Sequence, residues 1–179
     1  MSSDLSDLTG RLRASRIGVV LALLTIFSGF AMGGVMGAFE EELKSGLAAR
    51  ANAAASSVYG GDAAKSKSVL DKSWAYYKRA HLHGGGIGAA ALGLILLLAL
   101  LERPSASARR SIALALGLGG LGYSSFWVLA ARAAPSLGSM DAAKESLRWL
   151  AVPSAGLLLT GLVVVAALAL RELFTTGPS

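Results

Sequence analysis

The chain contains two histidines, His81 and His83, with one residue between them. The pair lies at the start of an uncharged run. Lys78 and Arg79 precede the pair, and three consecutive glycines beginning with Gly84 follow it. Imidazole is the commonest metal ligand among side chains and also ligates haem iron. An ionisable group at the edge of an apolar segment is costly and tends to mark function. The histidine pair is therefore the first candidate for a binding site.

The spacing of the two histidines limits what they can bind together. Residues two apart on an α-helix point about 200° apart, so His81 and His83 would face opposite sides and could not hold one ion. A haem on one of them needs a second axial ligand. Met32 and Met36, near the end of the preceding apolar run, are candidates because His/Met ligation of haem iron is known. A histidine from another copy or another subunit is a second route.

Several interpretations of the pair remain open. The same histidines and methionines could bind copper, since thioethers suit Cu(I), and a quinone or proton-relay role is a further option. Glu40 and Met140 are additional candidate ligands. The main alternative involves no cofactor: the histidines would lie at a membrane interface and hydrogen-bond to acidic side chains, lipid phosphate or loop carbonyls.

Composition indicates the kind of scaffold that positions these residues. The 179 residues are 54% hydrophobic and only 16% charged, with a mean hydropathy of +0.57, whereas soluble domains are typically about 25% charged. Four uncharged stretches have roughly the 20 residues that cross a bilayer as a helix. The predicted fold is an all-α integral membrane protein, a four-transmembrane-helix bundle with an extramembrane helical hairpin between helices 1 and 2. Its parts would be a cytoplasmic N-terminal segment (1–16), TM1 (17–38), an outer hairpin loop (39–80), TM2 (81–101), a cytoplasmic loop (102–110), TM3 (111–131), an outer loop (132–149), TM4 (150–170) and a cytoplasmic tail (171–179).

Loop 39–80 has the composition of a helical hairpin, because it is rich in helix formers and contains no proline. An apolar stripe runs from Leu43 to Val58, Gly60 and Gly61 interrupt the first arm, and Asp62 is a good N-cap for the second. The second arm is predicted to continue unbroken into TM2 as one helix of about 40 residues. In loop 132–149, a turn at Pro135 and Gly138 would precede a short helix over 141–149.

Charge and aromatic residues predict the orientation. Arginines flank the termini and the 102–110 loop, so the positive-inside rule places both termini in the cytoplasm. The aromatic residues that would form a belt on the opposite side are Trp74, Tyr76, Tyr77, Tyr123, Trp127 and Trp149. The net charge of +6 is split between both sides, which favours lipid headgroups over nucleic acid as the partner. The predicted location is the bacterial inner membrane.

Other motifs narrow the function classes. The chain has no cysteine, no P-loop and no serine with a base at a plausible distance, so an accessory role is favoured over a stand-alone enzyme. Gly29, Gly33 and Gly37 repeat every four residues on TM1. Such a face allows close helix packing, either within the chain or in a homodimer, and glycine beside a ligating histidine leaves room for a flat macrocycle.

The segment Ala80-His81-Leu82-His83 opens a glycine-rich span after a long outer loop. It resembles a pattern in small four-span bacterial membrane proteins related to subunit I of haem-copper oxidases, where an H-x-H pair ligates two haems from opposite faces of one helix. The further histidines of a haem-copper centre are missing here, so oxygen reduction is not implied.

The resemblance implies a membrane subunit of a respiratory or electron-transfer assembly. Haem b would be ligated by His81 or His83, and other membrane subunits or a second copy of the chain would be its partners. The alternative is a cofactor-free structural or assembly protein that binds partners through the outer hairpin.

Overall fold

The computed structural model describes residues 2–175, which form seven helices and no strand. The helices are α1 (Ser2–Ala14), α2 (Arg16–Ala38), α3 (Glu40–Ala53), α4 (Ala63–Leu100), α5 (Ala106–Leu137), α6 (Met140–Ser146) and α7 (Arg148–Thr175). The predicted all-helical bundle is confirmed. Residue 1 of the predicted N-terminal segment and residues 176–179 of the predicted tail lie outside the described residues.

Four of these helices, α2, α4, α5 and α7, are long and apolar enough to cross a membrane. They correspond, in order, to the four apolar stretches of the sequence. Helix α5 is central, because it packs against each of the other three, whereas α7 packs mainly on α5. We call the end that carries α1 and the 101–105 connection the terminal end, and the end that carries α3 and α6 the hairpin end.

Helix α4 runs without interruption from the hairpin end to the terminal end. It has 38 residues, about 57 Å at 1.5 Å per residue, in agreement with the predicted continuous helix. Gly60 and Gly61 adopt φ values of +59° and +79° and reverse the chain before it. The Asp62 carboxylate then accepts a hydrogen bond from the Lys65 amide at 2.9 Å, as expected of an N-cap.

The hairpin does not stand apart from the bundle. Its first arm packs through the apolar stripe, and its second through Val69. Both contact α6 and the part of α5 that reaches the hairpin end. Tyr59, at the turn, is 5% exposed, and its hydroxyl donates a hydrogen bond to the Pro135 carbonyl at 2.7 Å. The hairpin end is therefore a packed helical layer continuous with the bundle.

The turn after α5 differs from its prediction. Pro135 lies inside α5, which continues to Leu137, and the chain reverses at Gly138 with φ +73°. A proline two residues before a helix end removes only one backbone hydrogen bond, so the helix is not broken there. Helix α6 then begins at Met140, with Ser139 as its N-cap.

At the terminal end, charged side chains turn inward and hydrogen-bond to the backbone. The sequence indicated these residues only as flanking the apolar stretches. Arg109 is 2% exposed, and its guanidinium donates hydrogen bonds to the carbonyls of Leu98, Leu101 and Glu102. Arg11 of α1 donates to the Leu101 carbonyl at 3.3 Å, and the Glu172 carboxylate accepts from the Glu102 amide at 2.7 Å. Cationic donors satisfy the last carbonyls of α4, which carry the negative end of its dipole.

Backbone contact between α2 and α4 depends on Gly29, Gly84 and Gly88, because an added Cβ on each would lie within 3 Å of the facing backbone. A Cβ added to Gly29 would lie 2.3 Å from the Gly85 nitrogen, and one added to Gly84 would lie 2.6 Å from the Gly29 Cα. These distances leave no room for a methyl group. The glycine face predicted for span 1 therefore packs within the chain at Gly29, while Gly34 and Gly37 have open space at their Cβ positions.

Replacing Gly29 with alanine should separate α2 from α4 and lower the free energy of unfolding by about 1–3 kcal/mol, the typical cost of overpacking. Gly34→Ala, five residues away on the same helix, should leave stability unchanged or raise it by up to about 1 kcal/mol through helix propensity. Unfolding of both variants by SDS in mixed micelles, followed by circular dichroism, measures the difference. Equal stabilities would contradict the close contact.

Candidate cofactor site at His81

His81 is held by the backbone of the neighbouring helix. Its Nδ1 lies 2.7 Å from the carbonyl oxygen of Gly29 on α2. A carbonyl can only accept, so Nδ1 must carry the proton and donate it. In the neutral ring this leaves the lone pair on Nε2, for which the described part of the chain provides no hydrogen-bond partner. The one nitrogen that could bind a metal therefore makes no hydrogen bond within the described residues.

Gly33, one turn after Gly29, accommodates the imidazole ring itself. A Cβ on Gly33 would lie 2.5 Å from Cε1, 2.8 Å from Nδ1 and 3.1 Å from Nε2 of His81. The ring thus packs directly against the helix backbone, and together with the Gly29 carbonyl this contact sets its orientation. Gly33, which packs against the imidazole, lies four residues after Gly29, whose carbonyl accepts the hydrogen bond from Nδ1.

A groove of about 420 Å³ opens beside the ring, between α2 and α4. Its lining residues are Gly33, Met36, Gly37, Glu40, Trp74, Lys78 and His81. Nothing lies within 4 Å of a Cβ position at Gly37, so one wall of the groove is bare helix backbone. The groove is therefore lined by His81, by Met36 and by an open glycine surface.

The one carboxylate that lines this groove, that of Glu40, is paired with a lysine. Lys44 lies 2.5 Å from the Glu40 carboxylate and 5.3 Å from the centre of a Trp74 ring. The pKa of Lys44 is raised above its usual value, chiefly by the hydrogen bond to Glu40. Because Glu40 already pairs with Lys44, it is a poorer metal ligand than the sequence indicated.

The structure separates the three candidate methionines. Met36 is 9% exposed and lines the groove with His81. Met32 lies one turn earlier and lines a different groove, and Met140 packs in the core beneath α6 with Tyr59. Of the three thioethers, only that of Met36 shares a groove with His81.

His83 faces the opposite side of α4, as the helical geometry predicts. Its ring centre is 5.6 Å from Trp127 and 6.1 Å from Tyr123, both on α5. Arg79 lies over Tyr76 and Trp127, with its guanidinium carbon 4.8 Å and 5.3 Å from the two ring centres. His83 is therefore one member of an aromatic cluster between two helices, and a ligand there would have to displace its neighbours.

The aromatic residues at the hairpin end thus differ in environment. Tyr76, Tyr123 and Trp127 pack around His83 between α4 and α5, and Tyr77 is buried. Trp149 is 69% exposed. Of the six residues predicted to form a belt, three are therefore half-buried in the cluster around His83, Trp74 is half-buried beside the buried Tyr77, and Trp149 is exposed.

A larger groove of about 660 Å³ lies between α2 and α5. Its walls are mainly apolar and include Phe27, Met32 and Val128, and it shares Gly29 with the histidine site. The Ser124 hydroxyl lines it, is buried, and has no hydrogen-bond partner within residues 6–175. Ser124 contributes to this groove from α5, but apolar residues at helical spacing do not reveal in advance which interhelical faces leave a gap.

The donor set at His81 suits axial ligation better than a polydentate metal centre. Among the described residues, no three His, Cys, Asp or Glu side chains come together. Haem iron needs only one or two protein ligands, and a ligating histidine usually donates its other nitrogen to a carbonyl or carboxylate. His81, with Gly29 as the carbonyl partner, has this arrangement.

Gly33→Ala should push the His81 ring away and weaken the bond to Gly29, because its methyl group would overlap the imidazole. Gly37→Ala, one turn later on the same face, should leave the ring in place. Long-range ¹H–¹⁵N correlation spectra of histidine-labelled protein report the tautomer: the wild type and Gly37→Ala should show His81 protonated at Nδ1, and Gly33→Ala should show averaged nitrogens. A wild-type ring protonated at Nε2 would contradict the geometry.

Comparison with protein-family models, with curated proteins and with solved structures gives no match to this chain. The resemblance carried by Ala80-His81-Leu82-His83 therefore stays a hypothesis. Function has to be argued from the site itself.

Proposed function

We propose that the chain is a membrane subunit of a bacterial respiratory or electron-transfer assembly and that His81 ligates haem b through Nε2. The four apolar helices would cross the inner membrane with both termini in the cytoplasm. The hairpin end would then lie on the outer side. The protein itself would be an accessory or electron-transfer subunit rather than a stand-alone enzyme.

One observation carries the proposal: the Gly29 carbonyl accepts a hydrogen bond from Nδ1 of His81, and Nε2 has no hydrogen-bond partner among the described residues. A hydrogen bond from the non-ligating nitrogen to a carbonyl fixes the tautomer of a ligating histidine and increases its basicity. Gly37 gives the same groove an open wall of helix backbone. Both features favour His81 over His83, whose ring is packed among aromatic side chains.

Met36 is the second ligand that the chain itself offers, since it lines the same groove. Haem, when bound, supplies one-electron transfer, and the protein tunes its potential through ligand identity and burial. The imidazole of His81 would orient the haem, and the burial of Met36 would limit the access of water to it. A histidine from a partner subunit is the alternative to Met36.

The test is a reduced-minus-oxidised visible spectrum of native membranes and of full-length protein purified in mild detergent. The expected result is a sharp b-type α-band that His81→Ala abolishes and His83→Ala retains, because only His81 has a free nitrogen beside the groove. Added imidazole should restore the band to His81→Gly, which separates ligation from folding. Met36→Leu should shift the redox potential without removing the haem.

A featureless spectrum in native membranes would overturn the haem proposal. A band lost equally in His81→Ala and His83→Ala, with no rescue by imidazole, would also count against it. If the same His and Met side chains bound copper instead, the protein would contain stoichiometric copper and show no haem band.

The second candidate is a cofactor-free structural or assembly protein. It is favoured by the contacts of His81 with Gly29 and Gly33, which give the ring a packing role that needs no ligand. Deleting most of the hairpin cannot test it, because Leu47, Tyr59 and Val69 are core residues. If this candidate is right, the visible spectrum should be featureless, and partner proteins should co-purify with the folded chain.

Orientation can be tested directly because the chain lacks cysteine. Ser56, at the tip of the hairpin, and Ser107, near the start of α5, are both exposed. With both termini inside, Ser56→Cys should react with a membrane-impermeant maleimide in intact spheroplasts, and Ser107→Cys should react only after lysis. The reverse pattern would place the termini outside, and labelling of both sites in intact cells would contradict membrane insertion.

A further inference from the structure

Arg103 and Arg171 also lie at the terminal end, but the five other arginines there form two groups that differ in direction. Arg11 and Arg109 turn inward and donate to the carbonyls at the end of α4. Arg13, Arg16 and Arg110 line a separate groove of about 460 Å³ on the surface, between the α1–α2 junction and the start of α5. The first two arginines have a structural role, and the other three need a different explanation.

Among the residues whose side chains the structure describes, no acid lines the groove of Arg13, Arg16 and Arg110. Within the described part of the chain none of the three takes part in an ion pair. The nearby acids Asp7 and Glu102 line a neighbouring groove, with Arg11 and Arg109. Three like charges around one concavity repel one another, and an anion bound among them would relieve that repulsion.

An apolar track begins beside the arginines. Ile17 lines the same groove, and Val20 and Leu24 continue from it at helical spacing along α2, with exposed fractions of 51%, 53% and 48%. Exposed apolar side chains in line with three cations form a surface that matches an amphiphile with an anionic head and a hydrocarbon tail.

We propose that this groove binds the headgroup of an anionic phospholipid. The guanidinium groups of Arg13, Arg16 and Arg110 bind the phosphate, and an acyl chain lies along Ile17, Val20 and Leu24. Arginine suits this role because its planar donors match phosphate oxygens. A free phosphate ion shares the headgroup chemistry but would leave the apolar track unused. The proposal does not depend on a cofactor at His81.

The test is native mass spectrometry of the full-length protein in detergent, titrated with phosphatidylglycerol, with phosphatidylcholine and with inorganic phosphate. The test variant is Arg13→Gln/Arg16→Gln/Arg110→Gln. The matched control, Arg103→Gln/Arg132→Gln/Arg171→Gln, removes the same charge from three other exposed arginines. At about 1 kcal/mol per basic residue, removal of the three contacts should weaken phosphatidylglycerol binding by roughly 100-fold.

The expected pattern is tight binding of phosphatidylglycerol by the wild type and the control, weak binding by the test variant, and no displacement by millimolar phosphate. Equal binding of phosphatidylcholine, or equal weakening in the control, would overturn the site. Displacement by inorganic phosphate would assign the groove to a soluble anion instead. If the triple variant does not fold, Arg13→Lys/Arg16→Lys/Arg110→Lys keeps the charge and should bind measurably more weakly than the wild type; unchanged binding would overturn the role of the guanidinium fork.

Discussion

Helices α2 and α4 touch through their backbones at Gly29 and Gly84, and much of the remaining architecture follows from that contact. Such an approach needs hydrogen in place of a side chain on both helices, since a single methyl group would hold them apart. Once the backbones meet, the Gly29 carbonyl lies within hydrogen-bond distance of His81, and Gly33 receives its ring. The same contact turns His83 toward α5. A separation of even a few tenths of an ångström would loosen the hydrogen bond and the ring packing together.

How far the sequence predicts this arrangement depends on whether a property is local. The long α4, its N-cap at Asp62 and the opposite directions of His81 and His83 follow from propensity and from the geometry of one helix, and all three are confirmed. Arg109 and Arg110 are neighbours of the same type, yet one is buried and the other exposed. That difference depends on where the end of α4 lies, which no local pattern contains.

The glycines of α2 also differ in environment because of tertiary contacts that no local pattern contains. Gly33 carries the ring of His81, and Gly34, its neighbour, meets open space. The four-residue repeat of glycines showed that a close contact was available on this face but not which partner would occupy it. Pro135 is a case in which the local signal was misleading. Proline usually ends a helix, but this one lies within α5, whose packing continues past it.

The hydrogen bond between Tyr59 and the Pro135 carbonyl joins positions 76 residues apart. At a synthesis rate of about 5 to 20 residues per second, the tip of the hairpin is made roughly 4 to 15 seconds before its acceptor. During that interval the apolar face formed by Leu47, Ala51 and Tyr59 has no α5 to cover it. The biogenesis of this chain therefore includes a stage in which its first helices have left the ribosome but their packing surface has not. Protection during that stage has to come from the membrane surface, the insertion machinery or a chaperone.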